Sequence, residues 1–273
     1  MTSEHLFAKM TGEQIVEAAK NNKAILIPVA AIENHGDHLP VDTDNIAVAR
    51  VCEGTAKSRP DLIICAPPIH YGYNEHNMDF PGTIDVHPTH FIGYCTDVGM
   101  SFAHNGFQVI LFVNGHGSNA NLLEIAARQV TLKAKVKCAS VSYWTLASEE
   151  ASRLRESPYP GGMSHAGEFE TSLYLYLDKS RVITGKMKAN VVGSVTKHMW
   201  YDLFGGGPIR FVPRWSQISP ATMVSGDPTV ASEEKGRVLY QAIVDRLIEA
   251  AGELLGLDLP EPTDHQFKPP AQS

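Results

Sequence analysis

AILIPVAAIENHGDHLPVDTD, residues 24–44, joins an apolar run of strand length to a loop crowded with acids and imidazoles. An unbroken run such as Ala24 to Ala31 suits a parallel strand buried on both faces, where no polar alternation is needed. Similar runs follow at Leu62 to Ala66, before Pro67 and Pro68, and at Val109 to Val113, before Asn114 and Gly115; Val136 to Val141 is a weaker fourth. Helical stretches separate them: Asp44 to Ala56, Thr89 to Asn105 with Gly106 as its stop, and Ser118 to Lys133. This alternation predicts an α/β fold with a mostly parallel sheet, helices on both faces, and ligands outside the carboxyl ends of the strands.

Upstream, Thr11 and Gln14 predict a capping box on a short first helix. Downstream, helices are expected over Glu168 to Leu177 and Ser232 to Leu255. The stretch between them, Gly205 to Pro228, holds three consecutive glycines and several prolines, and is expected to be an excursion that shapes a site or an oligomer contact. One domain is expected over residues 1–259, followed by a polar, Pro-rich tail over 260–273.

Composition narrows the function classes. A chain of 273 residues with 43% hydrophobic content can bury one large core. Its 23 Lys and Arg against 30 Asp and Glu give a formal charge of -7, which speaks against nucleic acid as a partner. Cys52, Cys65, Cys95 and Cys138 form no CxxC pair, so reduced thiols of a cytoplasmic protein fit better than a zinc site or disulfides. The longest apolar run, Ile25 to Ile32, is too short to span a bilayer, and no membrane partner is expected.

Three polar clusters stand out, the first two directly after predicted strands. In the first, Glu33 and His35 are two apart, so in an extended backbone their side chains point the same way, and Asp44 folds back at the start of the next helix. Asp44 also reads as a helix cap, but negative charge packed this tightly is costly without a cation. In the second, NGHGSN at 114–119, glycines flank His116 and let the backbone aim its ring. A phosphate cradle lacks both glycine-rich signatures, and Ser118 lacks the GxSxG elbow of a nucleophile and caps a helix equally well. In the third, SHAGEFETS at 164–172, His165, Glu168 and Glu170 are available, and either acid also suits a helix N-terminus.

Taken together, the clusters and the segment YGYNEHNMDFPGTI at 71–84 resemble the four signatures of the creatininase (creatinine amidohydrolase) family, over roughly residues 20–255. The resemblance implies a three-layer α/β/α sandwich, a dinuclear site holding zinc, manganese or iron, cleavage of a non-peptide or cyclic amide, and a homohexamer. It implies that Asp44 bridges two ions, that Glu33 and His116 complete one shell, that His35 binds the other ion, and that His165 shuttles protons. Ser118 stands where creatinine-hydrolysing members have a metal-binding Glu. Glu168, three residues after His165 and one helical turn on, is therefore expected as the replacement ligand, with Glu170 turned away.

The expected chemistry is attack on a small amide substrate, such as a lactam, formamide or creatinine-like ring, by a hydroxide shared between the ions, with His165 as general acid. Tyr71, Tyr73, His76, Trp144, Trp200 and Tyr201 are candidates for substrate contact, and each reads equally as buried packing. Hydrolysis of another ester or lactone, or a metal-stabilised scaffold without turnover, are the competing readings.

Overall fold

The computed structural model describes residues 4–265. Four parallel strands form the central sheet in the order β2-β1-β3-β4: β1 (Ala24–Val29), β2 (Ile63–Cys65), β3 (Val109–Asn114) and β4 (Lys137–Ser142). β1 pairs with β2 and β3, and β3 pairs with β4, all in parallel register. Every residue of β1, β2 and β3 is buried, as the unbroken apolar runs require, whereas the edge strand β4 is half-buried throughout.

Alternate side chains of each strand enter two separate cores. Leu26, Ile63, Leu111 and Val113 pack on one face with α2 (Thr43–Ser58), α5 (Ser148–Leu154), α6 (Glu168–Asp178) and α8 (Glu233–Gly256). Ile25, Ile27, Ile64, Ile110 and Phe112 pack on the other with α1 (Gly12–Lys20), α3 (Pro88–His104) and α4 (Ala120–Ala134). The result is the expected three-layer sandwich. Thr11 and Gln14 form the expected reciprocal cap on α1. α4 starts two residues later than expected because Gly117–Asn119 takes a tighter 3-10 turn first.

His165 ends a short strand, β5 (Met163–His165), which pairs antiparallel with Ser225–Gly226. The Gly- and Pro-rich excursion is largely irregular, with one short helix, α7 (Trp215–Ile218), and it folds back toward the carboxyl ends of β1 and β3. Residues 260–265 of the expected tail carry no regular structure, and its remainder lies outside the described residues. Among the described residues no helix is long and apolar enough to cross a membrane.

Candidate metal centre

Side-chain amides anchor the loop that leaves β1. Asn119 Nδ2 donates to the Ala30 carbonyl at 3.0 Å and Asn45 Nδ2 to the Ala31 carbonyl at 2.7 Å, satisfying backbone groups that the sheet no longer pairs. The loop then delivers Glu33 and His35, and α2 begins with Asp44 in its first turn. Beyond β3, Gly115 lets the chain touch α2: a Cβ there would lie 2.9 Å from Val48 Cβ and 3.0 Å from the Asp44 carbonyl oxygen. That approach sets His116 beside Asp44.

Glu33, His35, Asp44 and His116 are all at most 5% exposed, and they converge. His116 Nδ1 is 2.8 Å from Glu33 Oε1 and 3.1 Å from Asp44 Oδ2. His35 Nε2 is 3.2 Å from Asp44 Oδ1 and 3.9 Å from Glu170 Oε2. His165 Nδ1 lies 3.8 Å from Glu33 Oε1. Three overlapping ligand groups result: Glu33, Asp44 and His116; His35, Asp44 and Glu170; and Glu33, His35 and His165.

The other nitrogen of each imidazole faces a backbone carbonyl. His116 Nε2 is 3.1 Å from the Tyr73 oxygen, His35 Nδ1 is 3.2 Å from the Glu33 oxygen, and His165 Nε2 is 2.8 Å from the Asn34 oxygen. A carbonyl can only accept, so each of these nitrogens carries the hydrogen and the opposite nitrogen presents to the carboxylates. Such an arrangement is how metal-ligating histidines are fixed. His35 Nε2 and Asp44 Oδ2 are buried and have no hydrogen-bond partner. Facing lone pairs of this kind need a shared proton or a cation between them.

Electrostatics without a metal reflects that need. Burial opposes ionisation of Glu33, yet His116, His165 and His35 together hold its carboxyl well below the usual range. Burial likewise opposes charge on His35, but Asp44, Glu170 and Glu33 lift it to about 10, and Glu33 and Asp44 raise His116 in the same way. Burial, reinforced by Asp44 and Glu33 against the pull of His35, raises Glu170 to about 7. Burial and the neighbouring charge of His35 push His165 down to about 4.

Glu168 is absent from this cluster. Its buried carboxylate lies 2.5 Å from Lys235 Nζ on α8 and accepts the backbone amides of Glu156 and Ser157 at 3.0 and 2.9 Å. The expectation of one continuous turn from His165 fails because His165 is in β5: Ala166 then turns at φ 53° and Gly167 is extended before α6 begins. Glu170 instead folds back, accepts the Ala166 amide at 2.6 Å, and reaches His35. Nothing in the spacing HAGEFE signals that left-handed turn, since alanine rarely adopts it.

A cavity of about 160 Å³ opens over the cluster. Of the candidate substrate contacts, His76, Trp144 and Tyr201 line it. Tyr73 does not; it works through its backbone, whose carbonyl accepts from His116 and whose amide donates to Asn119 Oδ1 at 3.0 Å. Trp200 also lies elsewhere, its Nε1 donating to the Gly205 carbonyl at 2.6 Å. Sequence reading missed Asn77, Ser164, Trp215 and Met223, which line the cavity. For Trp215 the signal was the excursion itself, an aromatic in a long irregular stretch after the last signature.

The 3-dehydro-scyllo-inosose hydrolase of Thermotoga maritima is 31% identical over 91% of this chain and 83% of its own length. The mycofactocin precursor peptide peptidase of Mycobacterium ulcerans is 30% identical over 81% of this chain and 82% of its own. A solved manganese creatininase superposes with a TM-score of 0.79 at 22% identity, covering 92% of this chain and 98% of that one. The family model described as creatinine amidohydrolase matches residues 8–251, and the chain belongs to this creatininase family of metal-dependent amidohydrolases.

Proposed function

We propose that the protein is a dinuclear hydrolase that opens a small ring amide, with Glu33, Asp44 and His116 holding one divalent ion and His35, Asp44 and Glu170 the other. The observation that carries this reading is the set of three carbonyl-anchored imidazoles converging on the buried carboxylates of Glu33 and Asp44 and the half-buried one of Glu170, with His35 Nε2 and Asp44 Oδ2 left unpartnered. Mixed carboxylate and imidazole donors suit zinc, manganese or iron better than calcium or magnesium. When bound, such ions supply Lewis acidity to a carbonyl oxygen and acidity to a water.

The chain's own groups do the rest. The anchor on the Asn34 carbonyl fixes the His165 ring, so Nδ1 faces Glu33 and the cavity. There it takes a proton from the attacking water and returns it to the leaving nitrogen, which leaves poorly until protonated. Trp144, Trp215 and Tyr201 supply flat apolar walls that hold a planar ring and keep bulk water off the carbonyl. The small cavity favours a ring of this size over an extended peptide.

A second reading comes from the Thermotoga maritima relative, because an inosose is a ring ketone with no carbon-nitrogen bond. The test is a panel of lactams, formamides, cyclic ureas, lactones and polyhydroxylated ring ketones, assayed with zinc-loaded and manganese-loaded protein. Lactam opening that a chelator abolishes and metal restores supports the reading. Turnover confined to the ketones would transfer the function to that class, and zero or one ion per chain at saturation would remove the dinuclear site.

A further inference from the structure

One wall of the cavity beside the candidate metal centre is polar. Ser118 Oγ and His76 Nε2 lie 3.0 Å apart, and both residues line the cavity. Asn77, next along the wall, is 2% exposed. Its amide nitrogen donates to Glu33 Oε2 and to Asn74 Oδ1, which fixes the amide's orientation. The carbonyl oxygen Oδ1 of that same amide is buried and has no partner. A buried acceptor in this position calls for a donor.

All three of these side chains are neutral hydrogen-bonding groups. The lining includes no Lys or Arg, and its acids are the cluster carboxylates Glu33, Asp44 and Glu170. The wall of Asn77, Ser118 and His76 therefore offers no counter-charge to an ionised substituent packed against it, which is costly in a buried site.

We propose that Asn77, Ser118 and His76 form a specificity wall that selects substrates by an uncharged hydroxyl carried by the ring next to the scissile amide. The wall rests on the reading of this cavity as the substrate site of a ring hydrolase. The substrate class is then a small neutral ring amide bearing at least one such hydroxyl, and rings that set a charged substituent against the wall are disfavoured. Asn77 joins recognition to chemistry, since one amide touches both Glu33 and the substrate's donor.

Three rings that differ in one substituent test this: γ-butyrolactam, pyroglutaminol with a hydroxymethyl group, and pyroglutamate with a carboxylate. Their binding to the zinc-loaded full chain is measured by calorimetry. The expected order places pyroglutaminol about 10-fold tighter than the bare lactam and pyroglutamate about 10-fold weaker than it, as a site built to bond a hydroxyl discriminates against its absence. In Ser118→Ala and in His76→Phe the preference for pyroglutaminol over the bare lactam should collapse to within about twofold while zinc content is unchanged. Equal binding of the hydroxylated and bare rings by the parent protein, or an intact preference in both variants, overturns the wall. Failure of all three rings to bind overturns the underlying reading as well, so the two failures are distinguishable.

Discussion

Glu168 and Glu170 are two residues apart and have opposite environments. Glu168 is compensated by Lys235 and two backbone amides, so its carboxyl sits below the usual range although burial opposes this. Burial, with Asp44 and Glu33 adding to it, raises Glu170 to about 7. Glu168→Gln removes one partner of a buried ion pair and should cost about 3 kcal/mol of folding stability with metal content retained. Glu170→Gln should lower metal content by about one ion per chain. The sign of its stability effect is opposite: a carboxylate with a raised value is destabilising when charged, so metal-free Glu170→Gln should be at least as stable as the parent. Elemental analysis and urea melts of both variants check this, and metal loss in Glu168→Gln with none in Glu170→Gln would reverse the assignment.

At the level of elements, strands β1 to β3 were legible because residues buried on both faces leave an unbroken apolar signal. The candidate ligands Glu33, His35 and Asp44 and the ring of His116 were legible for a related reason, since they follow those strands directly. What the sequence did not disclose was the backbone between β5 and α6, whose course is set by tertiary contacts. The Glu168 amide bonds to the Gly162 carbonyl at 3.3 Å, and His38 Nε2 meets Thr171 Oγ1 at 3.0 Å. Side chains on the excursion were equally hidden, because no period tells which aromatic turns inward. α6 owes its position to α8: a Cβ at Gly236 would lie 1.9 Å from the Ser172 carbonyl oxygen, a backbone atom that cannot swing away. Helix propensity alone predicts that Gly236→Ala stabilises by about 1 kcal/mol. The clash should outweigh this, giving a net loss of about 2 kcal/mol and weaker binding of the ion at Glu170, while the ion at Glu33 and His116 stays. A higher melting temperature in Gly236→Ala would show that the two helices can separate freely.

For the molecule as a whole, the candidate centre joins distant elements, since its residues come from loops after β1 and β3 and from α2 and α6. In metal-free protein protons take the place of cations there. The facing carboxylates overcome burial to lift His35 to about 10 and His116 well above its ordinary value, which favours the protonated form of both rings near neutral pH. A histidine raised in the folded state contributes stability that is complete below its unfolded value of about 6.5 and is lost as pH rises through the folded one. Metal-free protein should therefore remain folded at pH 6 and weaken steadily toward about pH 10. Metal-loaded protein should show no such decline, because ions replace the protons. The exchange itself is measurable: at pH 7 loading with zinc should release about two to three protons per chain, one from each ring and a fraction from Glu170, which is raised to about 7. Calorimetric titration in buffers of different ionisation enthalpy gives that number as a slope, and metal affinity should rise with pH over the same interval. A slope of zero would mean that the rings are already neutral in the metal-free protein, and that the buried carboxylates find their compensation somewhere other than His35 and His116.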